Sequence, residues 1–313
     1  SEEFDNKWKN SSIYLKYFIS ILILIKTLLS DKDYTILSFQ ANWYAIIVAK
    51  LFGIKIISRS NTAPEGWSNN FIKKFLYKLI INFADEIVVN SIEFKKSLKD
   101  YFNVNSICIY NALDRSKIKK LSNKKKNINI FNDIKNLKLI NIGRFTDQKN
   151  QLLILKSIKY LKNRIPLKLL IAGRGQNYGI LKNFIDNNEL NKSVKLMNFI
   201  DNPYPYIKSS DVFILSSNYE GLPNVLLEAQ YLKKIIISTK CPTGPKEILL
   251  NGKAGIFFKM NDYKDLSKKI IYVSKNKKKM KSKIQTGYNN LNRFSEKKNL
   301  GMYYQIISKY LKK

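Results

Sequence analysis

From Tyr34 onward, short runs rich in β-branched and aromatic residues alternate with stretches of helical length: "YTILSF" then "ANWYAIIVAKLF", "IKIIS" then "NNFIKKFLYKLIINF", "EIVVN" then "SIEFKKSLKDYF", and "SICIYN". Alternation of this kind specifies a parallel sheet covered by helices. A polar, lysine-rich and aromatic-poor segment follows, "DRSKIKKLSNKKKNIN" at residues 114–129, and reads as a linker. The alternation then resumes with "LKLINIG", "NQLLILKSIKYL", "LKLLIAG", "YGILKNFI", "VKLMNF", "DVFILS", "PNVLLEAQYL", "KIIIS", "GPKEILL" and "AGIFF". Two doubly wound α/β domains are expected, residues 1–125 and 126–313, the last helix crossing back to the first; a length of 313 residues accommodates both. Ligands of such sheets bind outside the carboxyl ends of the strands, so the loops after strands are where chemistry is sought.

Composition narrows that chemistry. The chain has no histidine and two cysteines, Cys108 and Cys241, which leaves nothing for a zinc site, a Ser/His or Cys/His pair or a disulfide framework. This usage fits a reducing cytosol. Acid–base work falls to carboxylates, Tyr, Lys or the substrate. A net charge of +33 suits a polyanionic partner, nucleic acid or an anionic membrane, although Lys spread over nearly every segment beside Ile and Asn also fits a plain compositional bias. The apolar run at residues 17–30 contains Lys26 and is shorter than the ~20 residues a membrane span needs, so it reads as a buried or amphipathic helix.

Three loops stand out in the second half. "GRFTDQKN" follows a strand and places Arg144 and Lys149 where a helix opens, although cations there oppose the helix dipole unless an anion sits between them. "GRGQNYG" brings Gly173, Gly175 and Gly179, a spacing that serves a tight strand-to-helix turn as well as a ligand. "NYEGLPNVLLEAQ" carries Glu220 and Glu228 in a window without Lys or Arg from Lys208 to Lys233. Pro223 suits a helix start, which puts Glu220 in the loop and Glu228 in the second helical turn, with no basic residue at i±3 or i±4. Both carboxylates are expected in one site, partnered by ligand hydroxyls rather than by protein cations.

"GRFTDQKN", "FIDNPYPYIKSSDVFILSSNYEGLPNVLLEAQ" and "STKCPTGPKEIL", in that order, resemble the donor-binding domain of the retaining GT-B glycosyltransferases of family 4, glycosyl transferases group 1; "ISRSNTAP", "ADEIVVNS" and "IYNALD" are similar, more loosely, to its acceptor domain. Glu220 and Glu228 match that family's E-x7-E signature. The resemblance implies two Rossmann-like domains facing across a cleft. Its implied reaction is transfer of a hexosyl or N-acetylhexosaminyl group from a nucleotide-sugar, a UDP-sugar in this reading, to a glycan or lipid-linked acceptor, with retention and with neither metal nor cofactor. In that assignment Arg144 and Lys149 hold the diphosphate, Glu228 bonds the ribose and Glu220 faces the donor sugar. Gly143 opens the phosphate loop, the backbone at Gly221, Leu222, Pro223 and Asn224 approaches sugar and phosphates, and Phe199 and Ile200 line the base. Many relatives carry a histidine where this chain has "SRSNTAPEGW", so Arg59 and Asn61 are the candidates on the acceptor side; Arg174 and Asn198 also depart from the pattern. Before Tyr34 the chain offers mainly one helical region, and with its first residue Ser1 this leads to the expectation of an incomplete first domain.

Relatives that elongate lipid-linked glycans, capsules or lipopolysaccharide imply a peripheral enzyme at the cytoplasmic face of the inner membrane. The segment at residues 71–83 supports contact with an anionic surface, with Phe71, Phe75, Leu79 and Phe83 near one face and Lys73, Lys74 and Lys78 toward another, although such a helix also packs on a sheet. "DKD" at residues 31–33 precedes a strand and reads as a loop rather than a metal motif. The alternatives are a nucleic-acid-binding module, for which no recognisable motif is present, and a same-fold sugar-nucleotide enzyme with a small-molecule acceptor.

Overall fold

The computed structural model describes residues 12–31, 33–39, 42–61, 71–124, 131–132 and 135–311. Two compact units result, Ser1–Ile109 together with Gly301–Lys313, and Tyr110–Leu300.

In the first unit four parallel strands are ordered β1-β2-β3-β4, with β1 Thr35–Phe39, β2 Lys55–Ser60, β3 Glu86–Val89 and β4 Ile107–Cys108. On one face Ile56 packs with Leu28, Ala45, Ile46 and Ala49 of helices Ile13–Ser30 and Asn42–Leu51, while Val89 packs with Phe94 and Leu98 of helix Ile92–Phe102. On the other, Ile57, Val88 and Ile109 meet Ile306 of helix Glu296–Ser308. Strand alternation assigns consecutive residues to opposite faces, so each β-branched run serves two layers. Local signals set the helix ends: the Ser91 hydroxyl accepts the Phe94 N–H at 3.1 Å, and Asn103 closes the same helix at φ 55°. The apolar run near the amino end lies within helix Ile13–Ser30, and among the described residues no helix is long and apolar enough to cross a membrane.

The second unit holds a six-stranded parallel sheet ordered β10-β9-β8-β5-β6-β7. Its strands are β5 Leu137–Ile142, β6 Leu167–Ala172, β7 Val194–Met197, β8 Val212–Leu215, β9 Ile235–Thr239 and β10 Ile256–Phe258. Leu139, Ile171, Ile214 and Ile237 face one helical layer, and Ile140, Leu170, Phe213 and Ile236 face the other. The chain leaves β5 through β6 and β7 on one side and returns on the other side as β8, so strand order reverses between β5 and β8. Such a reversal opens a crevice at the carboxyl ends.

Two expectations need correction. The segment read as a linker contains helix Arg115–Ser122, capped by Asp114, and its Ile118, like Leu113 just before it, belongs to the second unit's core; residues 125–130 lie outside the described residues. Its helical period carries few apolar residues, which conceals one buried stripe beneath the lysines. The second unit accordingly begins at Tyr110 rather than 126. The residues of the amphipathic segment fall in helix Phe71–Ile81 and just after it. It rests on the core through Tyr77, Ile80 and Ile81, so Phe75, Leu79 and Phe83, the face read as apolar and able to pack on the sheet, point to solvent. The side chains of Phe71, Lys73 and Lys74 lie outside the described residues.

Candidate functional site in the second unit

The loop after β5 is stitched to its neighbours before any side chain enters the crevice. Gly143 N–H donates to Ala172 O at 3.0 Å and Phe145 N–H to Arg174 O at 2.8 Å, tying the loop to the end of β6. Asn150, at φ 48°, turns the chain into helix Gln151–Leu161. On its other side the loop meets the loop after β8: Asn218 N–H donates to Gln148 O at 2.8 Å, Gln148 Nε2 to Tyr219 O at 3.0 Å, and Ser216 Oγ to Lys149 O at 2.7 Å. A third loop, after β9, packs beneath. Thr243 Oγ1 donates to Glu220 O, and Gly244, at φ 84°, sits where a Cβ would lie 2.2 Å from Gly221 O. Only glycine fits there.

This scaffold brings Lys149 Nζ within 2.5 Å of Glu220 Oε1, both side chains largely buried and Glu220 only 6% exposed. The pairing corrects the expectation that Glu220 would be partnered by ligand hydroxyls rather than by a protein cation. A carboxylate this far from water requires a compensating charge, and the stitched β5 loop supplies it. Arg144 is more exposed, and its Nη2 donates to Gln148 Oε1 at 3.3 Å while Gln151 Nε2 holds Arg144 O at 2.9 Å. The two cations thus share a loop in different states, one paired and one at the rim.

Pro223 caps helix Asn224–Tyr231, and Gly221, Leu222 and Pro223 are buried against the β9 loop. Asn111 Nδ2 donates to Asn224 Oδ1 at 2.6 Å and to Leu222 O at 3.3 Å, fixing the approach to the helix. The first-turn N–H groups of any helix lack intrahelical acceptors, so this end can donate to a ligand. Glu228 lies one turn further, and the ion pairs of the described residues do not include it. Among the described residues its side-chain partner is Tyr204, whose hydroxyl donates to Oε1 at 3.5 Å. Burial pushes the Glu228 carboxyl up to about 6, against the Tyr204 hydrogen bond and the charge of Lys117. Burial and the neighbouring Glu228 in turn push the Tyr204 phenol up to about 12.

Phe199 and Ile200 follow the edge strand β7; Phe199 is exposed, with the Arg174 guanidinium carbon 5.0 Å from its ring centroid, and Ile200 packs on the core that includes Leu222. Arg59 and Asn61 belong to the first unit. Sequence reasoning missed Gln148, Tyr204, Asn111 and Thr243. Gln148 and Thr243 stand within the motifs "GRFTDQKN" and "STKCPTGPKEIL", where neutral residues were passed over in favour of charges.

The glycosyl transferases group 1 family matches this chain over residues 122–290, more than half of its length. An uncharacterised glycosyltransferase of Methanocaldococcus jannaschii is 35% identical over 220 residues, covering 65% of this chain and 53% of that protein. The N-acetylgalactosamine-N,N'-diacetylbacillosaminyl-diphospho-undecaprenol 4-alpha-N-acetylgalactosaminyltransferase of Campylobacter jejuni is 28% identical over 234 residues, 70% of this chain and 60% of the enzyme. The chain therefore spans between about half and three-fifths of the length of these relatives. The structure of Anabaena HepE in complex with UDP-glucose superposes with a TM-score of 0.76 at 16% identity over 92% of this chain and 82% of that one, a likeness of fold. With its family motifs set in two parallel, helix-covered sheets, the chain is a member of the glycosyl transferases group 1 family and has the GT-B fold.

Proposed function

We propose that the chain transfers a sugar from a UDP-sugar to a glycan or lipid-linked acceptor with retention of configuration, in cell-surface polysaccharide or glycoconjugate assembly. The observation that carries this reading is the Lys149–Glu220 pair at the strand-order reversal, in the loop that leads into the helix bearing Glu228, which stands outside the ion pairs of the described residues. A HepE structure with UDP-glucose and a Campylobacter relative named for a diphospho-undecaprenol acceptor support the donor and acceptor classes.

In this reading Arg144 and Lys149 bind the donor diphosphate and neutralise charge as it departs, a role that metal ions fill in other phosphate chemistries. Glu220 orients the donor sugar and favours the positive charge that develops at its anomeric carbon. Helix Asn224–Tyr231 directs its free N–H groups at the phosphates, and Glu228 accepts the ribose hydroxyls. With no histidine in the chain, the departing phosphate oxygen is the group that takes the acceptor proton, on the same face that the acceptor attacks. A thermal-shift screen tests the whole: UDP-sugars should raise Tm, whereas stabilisation by duplex DNA without any response to nucleotide-sugars would sink the reading.

The Glu228 carboxyl makes donor affinity depend on pH. Ionised, it accepts ribose hydroxyls; as pH falls through about 6 it gains a proton and loses acceptor capacity, so UDP affinity should fall between pH 7 and 5. Stability moves oppositely. A carboxyl raised from 4.5 to about 6 binds its proton more tightly when folded, so its contribution is full below the unfolded value and lost as pH rises through about 6. Calorimetric UDP titrations should show the pH step in the native chain and a weak, flat response in Glu228→Gln.

We also place the enzyme at the cytoplasmic face of the membrane, held peripherally by the first unit. Helix Phe71–Ile81 exposes Ile72, Phe75, Leu76 and Leu79, with Phe83 just beyond at 63% exposure, and the chain carries a net +33. An exposed apolar cluster on a basic protein suits an anionic leaflet. Sedimentation with anionic vesicles at low salt should be weakened at least about a hundredfold by Phe75→Ser with Phe83→Ser, since each of the two buried rings contributes roughly 1.5–3 kcal/mol. Indifference to both changes would remove this helix from the contact.

A further inference from the structure

Strand β7 ends the six-stranded sheet on one side, and its outer edge is open. Leu169 N–H donates to Ser193 O at 2.8 Å and Gly173 N–H to Met197 O at 3.2 Å, so Ser193 and Met197, with Lys195 between them, turn their peptide groups toward β6. By the alternation of a parallel ladder, Val194 and Leu196 turn theirs outward. The Val194 N–H is taken by Leu190 O at 2.8 Å, whereas Val194 O and both backbone groups of Leu196 meet no partner among the described residues. Three open groups thus follow one another along the edge.

A groove of about 680 Å³ runs beside them, and its two walls differ in chemistry. Val194 and Leu196 face the layer of helix Tyr178–Asn187, where Ile185 joins them in the core. Lys195 stands on the opposite face, in register with Leu170, and Lys168, two residues before Leu170, shares that face. Lys168 Nζ donates to Lys192 O at 2.5 Å, which holds its ammonium at the start of the edge, beside the exposed Lys192. The ion pairs of the described residues include none of these three lysines, whereas Lys182, on the helix side, is paired with Asp186 at 2.9 Å. No Asp or Glu is among the residues that line the groove.

We propose that β7 accepts an added strand from a partner polypeptide in which acidic and apolar residues alternate. The backbone of such a strand meets the three open groups, its acidic side chains reach the face of Lys168 and Lys195, and its apolar ones extend the surface of Val194, Leu196 and Ile185. A glycan or a nucleic acid could answer the charge but has no backbone groups at strand spacing. A second copy of this edge would set lysine against lysine, which is unfavourable across a ladder. The proposal does not depend on the glycosyltransferase reading.

Fluorescence polarisation with a fluorescein-labelled heptapeptide, Gly-Glu-Val-Glu-Val-Glu-Gly amide, tests it at low salt. Saturable one-site binding is expected, and the isomer Gly-Glu-Glu-Glu-Val-Val-Gly, equal in charge but without alternation, should bind at least tenfold more weakly. Lys168→Gln with Lys195→Gln should raise the Kd at least tenfold while Tm and UDP affinity stay those of the native chain. Peptides N-methylated at every Glu amide or at every Val amide should part by tenfold or more, because only one set of N–H groups faces β7. Equal affinity for the two isomers would reduce the contact to plain charge attraction and overturn the proposal. An unchanged Kd in the double variant, an equal effect of the two methylation patterns, or no saturable binding by the native chain would overturn it as well. The peptide comparisons need no protein variant, so misfolding of the double variant would leave the test intact.

Discussion

Glu220→Ala is expected to lower turnover by about three orders of magnitude with UDP affinity unchanged or tighter, the pattern of a group that acts on the transition state. The tightening follows from the pair: without its carboxylate, Lys149 has its whole charge free for the diphosphate. Lys149→Met should behave differently. It leaves a carboxylate at 6% exposure uncompensated, and a buried charge stripped of its partner costs about 3–5 kcal/mol, so both Tm and UDP affinity should drop. Combining Lys149→Met with Glu220→Gln should restore most of the stability and none of the activity. Recovery of Tm in the double variant separates a mutual electrostatic need from ordinary packing loss, and its absence would deny the coupling. A covalent glycosyl adduct trapped on Glu220 would replace the positioning role with a nucleophilic one.

Gly173→Ala should destabilise the second unit by about 3 kcal/mol, at the upper end of what overpacking costs, and should abolish UDP binding with it. A Cβ at this position would lie 1.9 Å from Gly143 O and 3.0 Å from Phe145 Cε1, and neither has room to withdraw, since Gly143 and Phe145 are hydrogen-bonded into the β6 end. The damage is therefore done to the loop that carries Arg144 and Lys149. Gly179, in the same "GRGQNYG" stretch, is the control. A Cβ there meets nothing within 4 Å, and because it lies in helix Tyr178–Asn187, alanine should stabilise by roughly 0.5–1 kcal/mol. Denaturant midpoints for the two variants should move in opposite directions.

The contrast between those glycines shows what the sequence could and could not reveal. Strand and helix alternation was legible because period and length are local properties, and the ten strands of the described residues fall in the runs that display it. The spacing of Glu220 and Glu228 was likewise local. Their partners were not: Lys149 stands 71 residues from Glu220, and the pairing of β5 with β8 and the hydrogen bonds that join their loops bring it there. Helix Arg115–Ser122 was hidden for another reason, since Ile118 is its one buried apolar side chain and a lysine-rich surface outweighed it. Tyr204 escaped notice because its contact with Glu228 depends on tertiary packing, which no spacing encodes.

The first unit is assembled from two separated stretches of chain, whereas Tyr110–Leu300 is continuous. The core formed by Ile57, Val88 and Ile109 is closed by Ile306, so it stays open until the continuous second unit has been made. During synthesis the strands of the first unit are made before those of the second, yet their sheet must wait, with apolar surface uncovered, for a helix that follows the second unit's last strand. Its closure at long sequence separation should be the slow step of refolding, and the ribosome-bound intermediate should be the form most in need of a chaperone.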